Sequence, residues 1–493
     1  MIGTFSALLI ALNLAASNQT ADPLGPEDLL GPWSGTITHG EQTTAFALEI
    51  VARDDGKVSL LMTIPAIHVQ GSSLGAVPLV VGEAQGSRVD VGLGPFRFVH
   101  DAAEGTLSGV MPKGLVPVYE LPVTLRRGGL PESPERAELA GREVQPLWSF
   151  DAGSPQWAGP VFADGLVYSG GEDGRLHALD AASGQRRWSF LAAGAIRSRA
   201  TISKGVLYLA ADDGMLYALD ASSGAERWRV KVSGSPAVRL PFDDPKSRYD
   251  RFGSDVTVAD RLYLGTHDGR LLALDPEDGA KAWEHAAGDS ILAAPAVHRG
   301  RVFFGSYDGH VYALEASTGK LLWKHDTRGP VVSTPAIHGD LVLVGSRSYD
   351  FLALDAATGE PAWSHYVWFS WIESSASVRD AVAYVGSSDA AAVFALQAAT
   401  GRALWSADVR GWTWGQPAVT EQRVYAGAAS TPGYLVGHHG GVFALDRKTG
   451  QIVWYFQAPA SDSGPFGFPG SPATGDGRVY ASSLDGRVLA FAE

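Results

Sequence analysis

Cysteine is missing altogether from the 493 residues. Disulfides, thiolate nucleophiles, Cys-ligated zinc, iron-sulfur clusters and a lipid-modified cysteine are therefore excluded. Basic charge is scarce: 39 Lys and Arg stand against 53 Asp and Glu, for a formal net charge of -14. Phosphate-rich partners need a basic face, so neither nucleic acid nor an anionic lipid surface is expected as a partner. Long apolar runs are lacking too. The run FSALLIALNLAA, Phe5 to Ala16, is short for a bilayer span and gives way to small and then polar residues, which predicts a secretory signal peptide over residues 1–17. No later segment reads as membrane-spanning, so the mature chain is expected to be soluble and periplasmic or secreted. There is no C-x-x-C-H haem segment.

What the chain does contain is a repeat. In RVFFGSYDGHVYALEASTGKLLWKH, Arg301 to His325, Val302 and Phe304 alternate with Phe303 and Gly305 as in a strand. Asp308-Gly309 supplies a tight hairpin, His310 to Glu315 form a second strand, and Thr318-Gly319 turns the chain into a third strand carrying Trp323. With the strand over Ala293 to Val297 upstream, four short antiparallel strands in about forty residues make one propeller blade.

The tandem copies align on Trp148, Trp188, Trp228, Trp283, Trp323, Trp363, Trp405 and Trp454. All but Trp148 follow an A-L-D-like strand and a Gly turn, beginning at Ala178, Ala218, Ala273, Ala313, Ala353, Ala395 and Ala444. The C-terminal unit, SPATGDGRVYASSLDGRVLAFAE, has three strands and no Trp strand. The two incomplete ends complete one another, which predicts an all-β, eight-bladed propeller over residues 146–493, closed by a strand near Leu147 to Phe150.

The pattern A-x-D-x-x-[ST]-G-x-x-x-W resembles the tryptophan-docking repeat of the pyrroloquinoline-quinone-like propellers. That family includes quinoprotein alcohol dehydrogenases and the propeller of the outer-membrane assembly machinery, so the resemblance implies the scaffold and leaves the activity open. The eight aligned tryptophans are expected to pack between blades as core, each worth at most roughly 4 to 6 kcal/mol if wholly buried.

Before the propeller, residues 29–127 read as one hairpin after another. Phe46, Leu48 and Ile50 answer Val58, Leu60 and Met62 across Asp55-Gly56. This stretch is similar to the small lipocalin-like β-barrels that precede hydrolase domains in some secreted bacterial proteins, which implies a small antiparallel barrel with a solid core. His68 and His100 lie in it singly and read as structural or surface residues. Residues 128–145, polar and rich in Gly and Pro, read as a linker.

Candidate site residues come from tryptophans outside the aligned set. Trp157, Trp368, Trp371, Trp412 and Trp414 fall in connections on the face that carries the Asp-Gly hairpins. At the mouth of the central funnel the aligned positions are Trp157, Arg197, Phe252, Leu292, Val332, Glu373, Trp414 and Pro469, one side of them aromatic. A long seventh hairpin brings Tyr434, His438 and His439 to the same face, and the insertion Arg239 to Asp255 reads as a lid. Neighbouring histidines point apart in an extended segment, so His438 and His439 read as loop residues and no metal site is expected.

Two functions compete on these residues. The first is a noncatalytic binding or scaffold propeller that takes a protein, peptide or glycan on its aromatic face and needs no cofactor. The second, implied by the dehydrogenase side of the resemblance, is oxidation of alcohols or sugars by pyrroloquinoline quinone (PQQ) with calcium. In that reading Trp414 or Trp371 stacks on the quinone and Glu373 binds metal or acts as base. The vicinal cysteine pair typical of those dehydrogenases is missing here.

Overall fold

The computed structural model describes residues 24–40, 42–111, 121–132, 138–234, 236–240, 250–434 and 439–493. The signal-peptide segment, His438 and most of the Arg239 to Asp255 insertion lie outside the described residues. Two compact units divide the chain, the first holding most of the residues up to Pro131 and the second running from Glu132 to Glu493.

The first unit is one antiparallel sheet of β1 (Gly31–His39), β2 (Gln42–Ala52), β3 (Val58–Ile64), β4 (Val69–Val77), β5 (Leu79–Val81), β6 (Arg88–Leu93), β7 (Phe96–Asp101), β8 (Thr106–Val110) and β9 (Pro122–Arg127). The order β4-β3-β2-β1-β9-β8-β7-β6-β5 puts two strands that are consecutive in the chain at its opposite edges, so the sheet curls almost into a barrel. Leu48 lies opposite Met62 and Ile50 opposite Leu60, the register expected from the alternation. Inside, Trp33, Phe46, Leu60, Phe96 and Leu125 are buried. The Trp33 indole N–H donates to the Leu29 carbonyl at 2.9 Å and the Arg127 guanidinium lies 4.5 Å from its ring centre. His100 is buried edge-on to Trp33, and burial holds its pKa below the ordinary histidine value.

The second unit is the propeller. Its blades span residues 161–191, 201–231, 257–286, 296–326, 336–366, 377–408 and 418–457, and the eighth joins 473–492 to an earlier strand. That strand, β11 (Trp148–Asp151), pairs with Arg487–Ala490 and closes the ring as the incomplete ends predicted. A two-residue strand, β10 (Arg142–Glu143), pairs in parallel with Trp454 and Tyr455 on the edge of blade 7. No helix among the described residues is long and apolar enough to cross a membrane.

The repeat motif has a geometric cause at each letter. In seven blades the register slips by one residue between the Ala and the Leu of the A-L-D strand, a bulge that bends the outer strand. The Ala sits directly opposite the Trp, as Ala313 does opposite Trp323. The Asp side chain then accepts hydrogen bonds from the turn; Asp180, held by Arg187 and Ser183, drops to a pKa of about 2. The turn Gly has φ near +70° and faces the Trp of the preceding blade. The indole N–H completes the contact: Trp283 donates to the Ala316 carbonyl at 2.9 Å, Trp323 to Ala356 at 3.2 Å and Trp363 to Ala398 at 3.2 Å.

Apolar core fills the seams between neighbouring blades, as where Tyr168 and Leu176 meet Leu207 and Leu219. The aligned tryptophans are less buried than expected. Trp454 is buried beside Phe491, whereas the other seven are half-buried, because outer strands present one face to solvent. Their contribution is therefore well below the whole-burial limit. At Gly319, φ is +72° and an added Cβ would stand 2.5 Å from the Trp283 ring. Gly319→Ala is expected to lower stability by about 2 kcal/mol or more, read as a lower urea midpoint at unchanged slope. An unaltered midpoint would show that the indole yields freely.

Candidate functional site

The funnel mouth is built from two rings of side chains. The inner ring comes from the segment that enters each blade, and six of its residues, Arg197, Phe252, Leu292, Val332, Glu373 and Trp414, line one cavity of about 80 Å³ on the propeller axis. Phe252, at the end of the insertion before blade 3, reaches across the axis. Its ring lies edge-to-face with Trp414 at 6.5 Å between centroids and with Trp157 at 6.3 Å. The three rings meet across the mouth, so the aromatic residues span it rather than lining one side.

The outer ring is not evident from the repeat pattern alone. It is the residue two after the Gly or Ala that ends each second strand: Glu172, Asp212, His267, Tyr307, Arg347 and Ser388 in blades 1 to 6. Each joins a neighbour. Glu172 accepts from the Trp157 indole at 2.8 Å and pairs with Arg197 at 2.5 Å. Asp212 takes Arg197 at 3.1 Å and Arg239 at 2.9 Å, and His267 meets Asp250 at 3.1 Å. Ser388 receives the Trp414 indole N–H at 3.4 Å.

Arg347 is the most connected member. Its guanidinium pairs with Glu373 at 2.5 Å, donates to the Tyr307 hydroxyl, and lies 4.6 Å from the Trp371 ring centre and 5.0 Å from that of Tyr307. Its side chain is 7% exposed and that of Glu373 8%. Burial opposes the charge of Arg347, yet the carboxylate beside it raises its pKa above the ordinary value. Glu373 is thus committed to an ion pair, and Trp371 is braced by a cation on one face.

A second aromatic group stands beside it. Trp412 and Trp414 stack at 4.8 Å with 14° between planes, and Tyr434 packs edge-on to Trp412 at 4.6 Å. The Trp412 indole and the Tyr434 hydroxyl both donate to Asp389 Oδ1. Burial pushes the Asp389 carboxyl up to about 6, against these two donors. Trp412 is 3% exposed and Trp157 6%, so both are supports, while Trp368, Trp371 and Trp414 keep accessible faces. Trp368 packs on Tyr366 and Phe369 at 5.1 and 5.9 Å. His439 donates its backbone N–H to the Arg410 carbonyl and its side chain faces solvent; His438 lies outside the described residues.

The backbone is strained at the same place. The hairpin position held by Gly174, Gly214, Gly269 and Gly309 elsewhere is Tyr349 (φ 71°) in blade 5 and Ala391 (φ 52°) in blade 6, and Phe369 and Arg410 nearby also have positive φ. Left-handed non-glycine residues cost of order 1 to 3 kcal/mol each and gather at binding sites.

These residues do not fit PQQ with calcium. An apolar cavity of about 150 Å³ takes one benzene, and the axial cavity of about 80 Å³ is smaller than that, far short of a three-ring tricarboxylate. Glu373, the only carboxylate proposed for the metal, is held by Arg347. Among the described residues no three His, Asp or Glu side chains gather as a metal site.

The family described as outer membrane protein assembly factor BamB matches residues 141–290, 267–379 and 369–492. Among solved structures, BamB from Moraxella catarrhalis is 21% identical, with 71% of this chain covering 99% of that one at a TM-score of 0.54. The quinohemoprotein alcohol dehydrogenase from Comamonas testosteroni is 14% identical, with 71% of this chain on 76% of that one at 0.55. The computationally designed Ika8 protein is 18% identical, with 72% of this chain on all of it (100%) at 0.57. At these identities the structural likenesses show the fold alone. No curated protein matches the chain. The family match begins at residue 141 and leaves the lipocalin-like resemblance of the N-terminal sheet unconfirmed. Spanning both rings of the mouth and all eight blades, it shows that the chain belongs to the family of the outer membrane protein assembly factor BamB.

Proposed function

We propose that this chain is a noncatalytic, extracytoplasmic binding scaffold that takes a segment of a partner protein on the mouth of its propeller. The observation that carries this reading is the bracing of half-exposed indoles. Trp371 rests on Arg347 and Trp414 rests on Trp412 and Ser388, so each presents apolar area already fixed in place. Large, rigid aromatic faces lose little entropy on binding and are the usual anchors of protein interfaces. The name of the family, an assembly factor, is in keeping with a protein partner.

The reading is tested against quinone chemistry by titrating the purified chain with PQQ and Ca²⁺ while following thermal unfolding and dye-linked alcohol oxidation. No saturable shift and no dye reduction are expected. A ligand at a hundredfold its dissociation constant adds about 2.7 kcal/mol, and such a shift with turnover would overturn the proposal. The binding face itself is tested by Trp371→Ala and Trp414→Ala. Partner capture is expected to fall about tenfold or more for each, with the unfolding midpoint little changed. A stability loss of about 3 to 5 kcal/mol would instead make them core residues.

A further inference from the structure

In each seam of the ring, two repeat positions face the outer wall: the residue two after the docking Trp of one blade, and the residue before the Ala of the A-L-D strand in the next. Rings meet there in four seams, Phe150 with His177 at 5.2 Å, Phe190 with Tyr217 at 5.1 Å, His285 with Tyr312 at 6.0 Å and His365 with Phe394 at 5.9 Å. Blades 4 and 5 bring one ring, His325, and blades 7 and 8 bring Phe456. The seam of blades 2 and 3 has none. Val230 and Leu272 hold its two positions, and a groove of about 510 Å³ opens there.

The chain itself shows what such a gap accepts. At blades 6 and 7 the outer residue is the small Ala407, and Leu139, from the segment before the ring, joins the cluster of Ala407, Phe443, Leu445 and Ile452. Beyond Leu139 the segment runs as β10 in parallel with Trp454 and Tyr455. The Val144 N–H donates to the Tyr455 carbonyl at 2.9 Å, and the Val144 side chain packs into the following seam. Gly141 lets the two backbones approach, for its φ is +99° and an added Cβ would stand 2.7 Å from the Ile452 carbonyl oxygen. Trp454, on the strand covered by this strap, is the one docking Trp that is buried.

The groove at blades 2 and 3 is the repeat equivalent of the Leu139 site. Its lining residues Val230, Leu272, Leu274 and Lys281 stand where Ala407, Phe443, Leu445 and Ile452 stand at blades 6 and 7. The outer strand of blade 3, Lys281–Ala286, has a strand on one side alone among the described residues, so its other edge is open, and Trp283 on it is half-buried. Open edges add strands. On the rim Lys231, Arg270 and Lys281 are matched by Asp268, Asp278 and Glu284, so the groove selects by apolar fit and not by charge.

We propose that the outer wall of the propeller carries a second docking site, independent of the mouth, where an extended segment of a partner protein pairs in parallel with Lys281–Ala286. The segment places a leucine-sized side chain in the groove between blades 2 and 3, a glycine two residues later and a small apolar residue three beyond that, as Leu139, Gly141 and Val144 do on blade 7.

The probe is a fluorescein-labelled peptide of residues 138–147, titrated into the full chain and followed by anisotropy. Saturable binding is expected, weakened about tenfold or more when Ser replaces the leucine of the peptide. Val230→Phe gives this seam the ring that Phe190 supplies one blade earlier, and is expected to weaken the unaltered peptide to a similar degree. A photoreactive leucine in the peptide should cross-link to residues 230–234 or 270–281 of the unaltered chain, which would support the site whether or not the variant folds. Adducts confined to blade 7 would mean that the peptide only exchanges with the strap, and would overturn the proposal. So would the absence of saturable binding, or binding that Val230→Phe leaves unchanged.

Discussion

Replacing Arg347 by Ala is expected to destabilise the propeller by about 3 to 5 kcal/mol. The substitution leaves the Glu373 carboxylate, 8% exposed, without its counter-charge. It also removes the cation beneath Trp371 and the donor to Tyr307. Most of the loss comes from the stranded charge and not from the value of the pair itself, so the double variant Arg347→Met with Glu373→Gln should recover more than half of it. Urea unfolding of Arg347→Ala, of the singles Arg347→Met and Glu373→Gln, and of the double variant measures this. A double variant as unstable as the sum of the singles would refute the pairing, and a harmless Arg347→Ala would mean that water reaches Glu373. Binding should fail in both Arg347 variants, because Trp371 loses its support in each.

The second large effect is opposite in sign: Asp389→Asn is expected to stabilise the protein at neutral pH. The folded-state pKa of Asp389 is raised to about 6 from an ordinary 3.8, first by burial and in lesser part by the negative charge of Glu373. A carboxyl raised in the native state holds its proton there after the unfolded chain has released it. Its contribution to stability is therefore complete below pH about 4 and is lost as pH rises through about 6. A difference of about two pH units between the folded and unfolded chains corresponds to roughly 3 kcal/mol. Asn copies the protonated acid and keeps an oxygen to accept from Trp412 and Tyr434. The variant should therefore gain up to that amount at pH 7.5 and nothing at pH 3.5. Asp255, also raised to about 6 by burial, gives a further slope of the same sense. Unfolding midpoints of wild type and variant from pH 3.5 to 7.5 check the sign. A variant less stable at pH 7.5 would show that the two donors hold Asp389 as an anion.

The repeat is legible in the sequence because every letter of it answers to a contact inside one blade or with the next: the small Ala opposite Trp, the Asp that caps the turn, the Gly against the preceding indole. Ring closure is legible for the same reason, since a blade lacking one strand needs an unpaired strand elsewhere. The inner mouth ring also follows from alignment, because it sits at a fixed offset from the first strand of each blade. The outer ring does not. Residues such as Arg347 and Glu172 act through neighbours that enter the next blade, Glu373 and Arg197, and nothing in one repeat marks that pairing. Phe252 occupies the ring position its alignment predicts, but its reach across the axis to Trp414 has no counterpart in the sequence of the other repeats. Tyr349 and Ala391, by contrast, are visible as the two repeats in which a turn glycine is replaced, a departure that marks the site.

The most direct test of the binding face is site-specific photo-cross-linking of the full-length chain in its native host. A photoreactive aromatic residue is placed at Trp368, at the rim of the mouth, and for comparison at Ser183, in a turn on the opposite face of the ring. A discrete protein adduct from position 368, absent from position 183 and weakened by Trp371→Ala, is the predicted result. No adduct at position 368, or equal adducts from both faces, would contradict the assignment of the mouth as the site where this propeller holds its partner.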